Sequence, residues 1–564
     1  MTWSQDYHPY DAWLSVGLAA APLLVLLGCI GLLRMRAYVA ALLGLLAALL
    51  IATLAFGMPA SLAIRAAGFG AAYGLLPIGW IVLNIIFLFQ MTNERGQFQI
   101  LRESIAAVTE DSRLQLLLIA FCLGAFFEGA AGFGAPVAVT GAMLIGLGFT
   151  RLQASGLSLI ANTAPVAFGA LGTPLVTLAG VTGLPLADLS ATVGREMLPF
   201  CLIVPFWLLV AYCGWRRTLA VWPAAVMVSV TFGTSQLLIS NLHGPWLAAI
   251  GPAMISVVAL VAFLRFWRPA VIMHVGQATL SRGDERVPII NAAHVTEHED
   301  TIALAPGTPD SGAMRKAWMP WLILMGVVFL WGMPAVKAAL DAVYKRAIHF
   351  PGLDMAILRV PPVVATATAE PAIYTFNPLS ATGSAILLAG VLSAVLLGLG
   401  PIGIAKSYGR AFMMVIPSLS TIAAMLALGN VTRFAGLDAT MGLAFAATGV
   451  MYPFFGTMLG WLGVAVTGSD TASNVLFGGL QKVTSEQLHL SPVLMAGANS
   501  AGGVMGKMID AQSIVVASTA TQWFGQEGRI LRYVFLHSFV LASLVGLVVM
   551  LIAYVPPFTL LVPR

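Results

Sequence analysis

Long apolar runs almost free of charge recur along this chain, near 13–33, 36–57, 72–91, 114–127, 134–149, 155–180, 197–215, 219–240, 245–264, 318–340, 378–399, 411–429, 440–466, 490–518 and 533–556. About 20 apolar residues in helical form cross the hydrocarbon core of a bilayer. Of the 564 residues, 59% are hydrophobic and 9% charged. A water-soluble fold cannot bury that apolar share with so little charge for its surface. The pattern predicts an all-α polytopic membrane protein of about 12–14 transmembrane helices. The net charge of +5 is modest. Its basic residues fall at span ends rather than in a patch, so the lipid bilayer is the expected partner and nucleic acid is excluded. Cys29, Cys122, Cys201 and Cys213 lie in or beside apolar runs without CxxC spacing and read as small buried hydrophobes. Residues 1–13 hold no Lys or Arg, so 13–33 reads as a retained first span rather than a signal peptide.

The chain divides into N-terminal transmembrane helices (1–60), a first repeat with following helices (61–264), a polar loop (265–317), transmembrane helices with a second loop at 341–377 (318–400), and a second repeat (401–564). The basic pairs Arg34/Arg36, Arg216/Arg217, Arg529/Arg532 and Lys406/Arg410 mark the cytoplasmic side, together with the 265–317 loop. The N-terminus and the 341–377 loop then lie outside. This parity closes only if 114–150 and 440–481 each enter and leave on one side, as re-entrant hairpins.

The two hairpin regions share an order of features. The first reads E-G-A-A-G-F-G-A-P from Glu128, followed by A-N-T-A-P from Ala161; the second reads G-S-D-T-A-S-N from Gly468, followed by G-A-N-S-A-G-G from Gly497. Each sets a carboxylate among small residues at a hairpin tip. An Asn-Thr or Asn-Ser pair is then expected to break the next span. Opening on opposite sides, the two form inverted-topology repeats.

Broken helices persist in a membrane only where they face protein or a wet cavity. Half-helix N-termini carry a partial positive charge and bare N–H donors, which suit an anion. The binding candidates are therefore Gly129, Gly132, Gly134, Asn162, Thr163, Ser469, Thr471, Asn499, Ser500 and Lys507. Burial penalises an ionised carboxylate, so Glu128, Asp470 and Asp510 are candidate proton carriers. Glu128 and Asp470 can equally serve by bonding backbone to hold the hairpins. Lys507 and Asp510, three residues apart on one helix face, can equally form a structural ion pair. Arg95 and Arg433 occupy matching places and read as helix-end cations that could also steer an anion. The eight histidines show no metal spacing, and His537 reads as a packed helix residue. No P-loop, nucleophile–base pair or cofactor motif is found, so neither an enzyme nor an ATP-driven pump is expected.

The runs G-A-F-F-E-G-A-A-G-F-G-A-P-V-A-V from Gly124, A-N-T-A-P-V-A-F-G-A-L-G-T-P from Ala161, G-S-D-T-A-S-N-V-L-F-G from Gly468 and G-A-N-S-A-G-G-V-M-G-K-M-I-D-A-Q-S-I from Gly497 resemble the bacterial lactate permease family over nearly the whole chain. The resemblance implies a secondary active transporter of the inner membrane with a periplasmic N-terminus. It would import L-lactate, D-lactate or glycolate with protons. The candidate residues would then supply donors for the carboxylate of a small 2-hydroxy-monocarboxylate and an acceptor for its hydroxyl. The alternative is a Na⁺-coupled carboxylate carrier, since the broken helices could also hold Na⁺. No cofactor is implied, and the assembly is a monomer or homodimer.

Overall fold

The computed structural model describes residues 2–31, 33, 35–106, 108–130, 135–275, 310–364, 366–523 and 526–562. Among them, ten helices are long and apolar enough to cross a membrane, and four shorter apolar helices accompany these. Large apolar side chains such as Leu54, Ile64, Leu242 and Leu536 stand on the outside, largely exposed. Water would penalise such a surface and lipid tails would not.

Two stretches repeat one succession of elements. Each opens with a long span, Ala60–Glu94 or Pro401–Ala435, and a short helix, Gln97–Ala106 or Leu437–Phe445. A hairpin and a broken span follow, and each stretch closes with a 28-residue helix, Leu186–Cys213 or Glu527–Tyr554. The first hairpin descends as Ser112–Ala130 and returns as Ala135–Gly146. The second descends as Tyr452–Thr467, turns at Gly468 (φ +71°) and returns as Asp470–Gln487.

The hairpins open on opposite faces. At the open end of the first, Arg113 donates to the Arg217 and Val271 carbonyls at 3.1 and 2.7 Å, and the Ser112 N–H donates to the Met273 carbonyl at 2.8 Å. At the open end of the second, Glu486 sits 3.7 Å from Arg359 and Gln487 donates to the Pro362 carbonyl at 3.2 Å. The helix Ser311–Gly332 leads from the first face to the second. The expected inverted arrangement is thus present. The halves also interlock: Thr173–Thr182 packs on the second hairpin, and Ala511–Ala520 packs on the first.

Three local expectations fail. The helix Pro492–Gly506 runs unbroken through Asn499 and Ser500, and its break falls at Lys507–Ile509. Glycines along this helix let two helices touch: a methyl added at Gly502 or Gly506 would strike the carbonyl of Thr457 or Trp461. The end of the 265–317 loop is helical from Ser311, where Asp310 accepts from the Gly312 N–H at 3.2 Å. The 341–377 loop is folded. Arg346–His349 pairs antiparallel with Ile373–Phe376, while Ile357–Arg359 pairs with Thr368–Ala369 and, in parallel, with Trp3–Ser4.

Candidate functional site

The first broken span is built from local signals. Thr150 and Gln153 form a capping box that starts Arg151–Ala161. The helix falters at Asn162, makes one more turn over Thr163–Val166, and breaks before Thr173. In the break Gly169, Leu171 and Gly172 take φ of +45°, +49° and +76°. Gly172 has a second reason to be glycine, because a methyl there would meet Pro245. Pro174 then opens the second half-helix, where a missing N–H costs nothing. In the second broken span Asp510 caps Ala511–Ala520, accepting from the Ser513 N–H at 2.7 Å.

These breaks and the hairpin ends meet at the centre. Asn162 donates to Glu128 Oε2 at 3.1 Å. Ser500 donates to Asp470 Oδ2, which also accepts from Asn474 Nδ2 at 3.3 Å. Asn474 reaches across to the Pro174 carbonyl at 3.2 Å and accepts from Asn499 at 2.9 Å. Gln481 donates to Asn499 Oδ1 at 3.3 Å and to the Gly456 carbonyl at 2.6 Å, while Tyr452 donates to Gln481 Oε1 at 2.7 Å. Lys507 donates to the Gly468 carbonyl at 2.5 Å and lies 3.6 Å from Asp510 Oδ2. It is within electrostatic reach of both Glu128 and Asp470. All these side chains are buried. Asn162 Oδ1 and Asp470 Oδ1 accept from no protein group among the described residues.

The family model for L-lactate permease matches residues 15–556. This chain belongs to the L-lactate permease family. It is 42% identical to glycolate permease GlcA of Escherichia coli K12 over 98% of this chain and 99% of that one. It is 40% identical to the L-lactate permeases of Salmonella typhimurium and Bacillus subtilis, covering 98% of each chain. Among solved structures, the YdaH transporter of Alcanivorax borkumensis aligns over 86% of both chains at 13% identity and a TM-score of 0.43. Its family and these relatives make the chain a multi-pass membrane transporter and not an enzyme.

Within this permease the candidate residues separate. Glu128, Asn162, Asp470, Asn499, Ser500, Lys507 and Asp510 join one central cluster. Lys507 and Asp510 do not share a helix face as expected: one follows the last turn of a half-helix and the other caps the next, so they flank the break. Ser469 caps the returning arm of the second hairpin, accepting from the Ala472 N–H at 3.3 Å, and Thr471 is half-buried in the same turn. Thr163 donates to the Ile160 carbonyl at 2.9 Å and so serves the helix. Gly129 stands against Ala249 and Ile250, where a side chain would clash, and so permits a helix contact. Gly132 and Gly134 lie outside the described residues. Arg95 is an exposed helix-end cation. Arg433 pairs with Glu370 at 2.8 Å and donates to the Val181 carbonyl at 3.2 Å, near the mouth of the second hairpin.

Sequence reasoning left out Asn474 and Gln481, which tie the second hairpin to Asn499. Asn474 was within reach: it sits one turn after Asp470, four residues on, where helical side chains meet. Pro174, which offers its carbonyl, carried no such signal.

Proposed function

We propose that this permease imports lactate and glycolate across a bacterial inner membrane by proton symport, with the central cluster as the site where anion and proton meet. The observation that carries the reading is the imbalance of charge in the cluster. Among the described residues Glu128, Asp470 and Asp510 face a single cation, Lys507. With all three acids ionised, the surplus negative charge repels an incoming carboxylate, and it does so strongly in a low dielectric. Protonation of the acids removes that surplus and leaves Lys507 free to attract the anion. Release of the proton on the far side then expels the cargo. The N-terminus of Thr173–Thr182 adds dipole stabilisation for the carboxylate. Asn162 Oδ1 and Asp470 Oδ1 offer acceptors for the substrate hydroxyl. The names of the relatives support lactate and glycolate as cargo. The basic residues around Arg216, Arg217 and Arg410 favour the cytoplasm for the face on which the first hairpin opens.

The test is uptake of radiolabelled lactate and glycolate into proteoliposomes. Acid outside should drive accumulation without Na⁺, and a protonophore should abolish it. Accumulation that requires Na⁺ and ignores the protonophore would establish the sodium-coupled alternative instead.

A further inference from the structure

Glu196 lies in Leu186–Cys213, fully buried, and neither carboxyl oxygen has a hydrogen-bond partner among the described residues. Its neighbour across the interface is Gly497, where an added Cβ would sit 3.1 Å from Oε2. Gly497 and Ser500 share a face of Pro492–Gly506, being three residues apart, and Ser500 donates to Asp470. Asp470 lies against Ser500 and Gly503, so the turn of this helix that Glu196 meets comes about one to two turns before the level of Asp470. That turn lies toward the face where the second hairpin opens.

No charge among the described residues compensates it. On its own helix Arg195 turns to Asn241 and the Leu561 carbonyl, and Cys201 donates to Gln236. Pro492–Gly506 and Trp222–Leu242 hold no ionisable side chain. On the first broken span only Arg151 is charged, and it is exposed at the far end. On Glu527–Tyr554 His537 is held by Trp207 at 3.0 Å, and Arg529, Arg532 and Tyr533 lie in the first two turns. Arg113 and Asp111 pair with each other at the opposite face.

We propose that Glu196 is a second proton-binding site of the transport cycle, placed between Asp470 and the face on which the second hairpin opens. An isolated carboxyl in such a place cannot hold a charge without a partner. It keeps a proton while the helices are closed as here, and it can release one only when movement against Gly497 brings a donor or water. This rests on the proton-symport reading. It deepens that reading by supplying a station between solvent and Asp470.

The experiment compares wild type, Glu196→Gln and Glu196→Asp in proteoliposomes, reading pH-driven net accumulation and lactate–lactate exchange separately. Glu196→Gln should lose net accumulation at least tenfold while exchange persists, and Glu196→Asp should accumulate with a displaced pH profile. Wild-type accumulation by Glu196→Gln would overturn the proposal. So would equal loss of exchange and accumulation in a variant that melts like wild type. If Glu196→Gln does not fold, an unchanged pH profile in Glu196→Asp overturns it. Failure of the symport reading itself would appear in the wild type, as no accumulation under the pH gradient.

Discussion

Asp470 accepts two hydrogen bonds at Oδ2 and leaves Oδ1 bare, while Lys507 has one carbonyl and one carboxylate within 4 Å. Each group is thus partly committed and partly available. Asp470→Asn keeps the shape and removes the proton step, so pH-driven uptake should fall about tenfold or more, measured at matched protein levels. Lys507→Gln should mainly weaken anion capture. A lost charge-assisted contact of about 1.5 kcal/mol or more corresponds to roughly a tenfold rise in KM, read from the concentration dependence of initial uptake. Glu128 and Asp470 were legible in the sequence because a carboxylate stands out inside an apolar run. Glu196 was not. The apolar run reads as starting at 197, whereas the helix begins at Leu186 and carries Glu196 several turns inside it.

At the scale of elements, glycine patterns carry two meanings that a lone sequence does not separate. Gly468 ends one helix and Gly172 precedes another, both with positive φ. Gly460, Gly502 and Gly506 do the reverse, sitting within helices so that Tyr452–Thr467 and Pro492–Gly506 can lie backbone to backbone. The break expected at Asn499 and Ser500 came from the polar pair, whereas both side chains bond to neighbours from within an unbroken helix. A methyl at Gly460 would land on the Asn499 carbonyl. Gly460→Ala should therefore destabilise the permease by about 1–3 kcal/mol, seen as a lower melting temperature in detergent, with uptake impaired through the displaced Asn499.

For the whole molecule, charge parity revealed the inverted halves, because the positive face recurs at every second crossing. The small sheets were not legible: their strands are two to four residues long and lack an apolar alternation. They cover the mouth of the second hairpin. There Glu370 holds Arg433 at 2.8 Å, and Lys482 donates to the Thr182 carbonyl at 2.8 Å, fastening the end of the first broken span. Glu370→Gln should cost of the order of 3 kcal/mol by leaving Arg433 unpaired, again as a lowered melting temperature. In the same cover the Ala372 N–H, at 2.7 Å, and then His349 hold Asp354 below the usual carboxylate range. A depressed folded value contributes stability above the ordinary value near 3.9 and loses it as pH falls through the folded one. Melting temperature should therefore drop on acidification below about pH 4, and Asp354→Asn should remove that part of the drop.

Trp3 and Ser4 pair with Ile357 and Leu358, and Gln5 donates to the carbonyls of Arg433 and Phe434. At roughly 5–20 residues per second, this segment waits tens of seconds after its own synthesis for those partners to emerge. It is thereby among the last to be seated, and its docking reports that both halves have been inserted and have found each other.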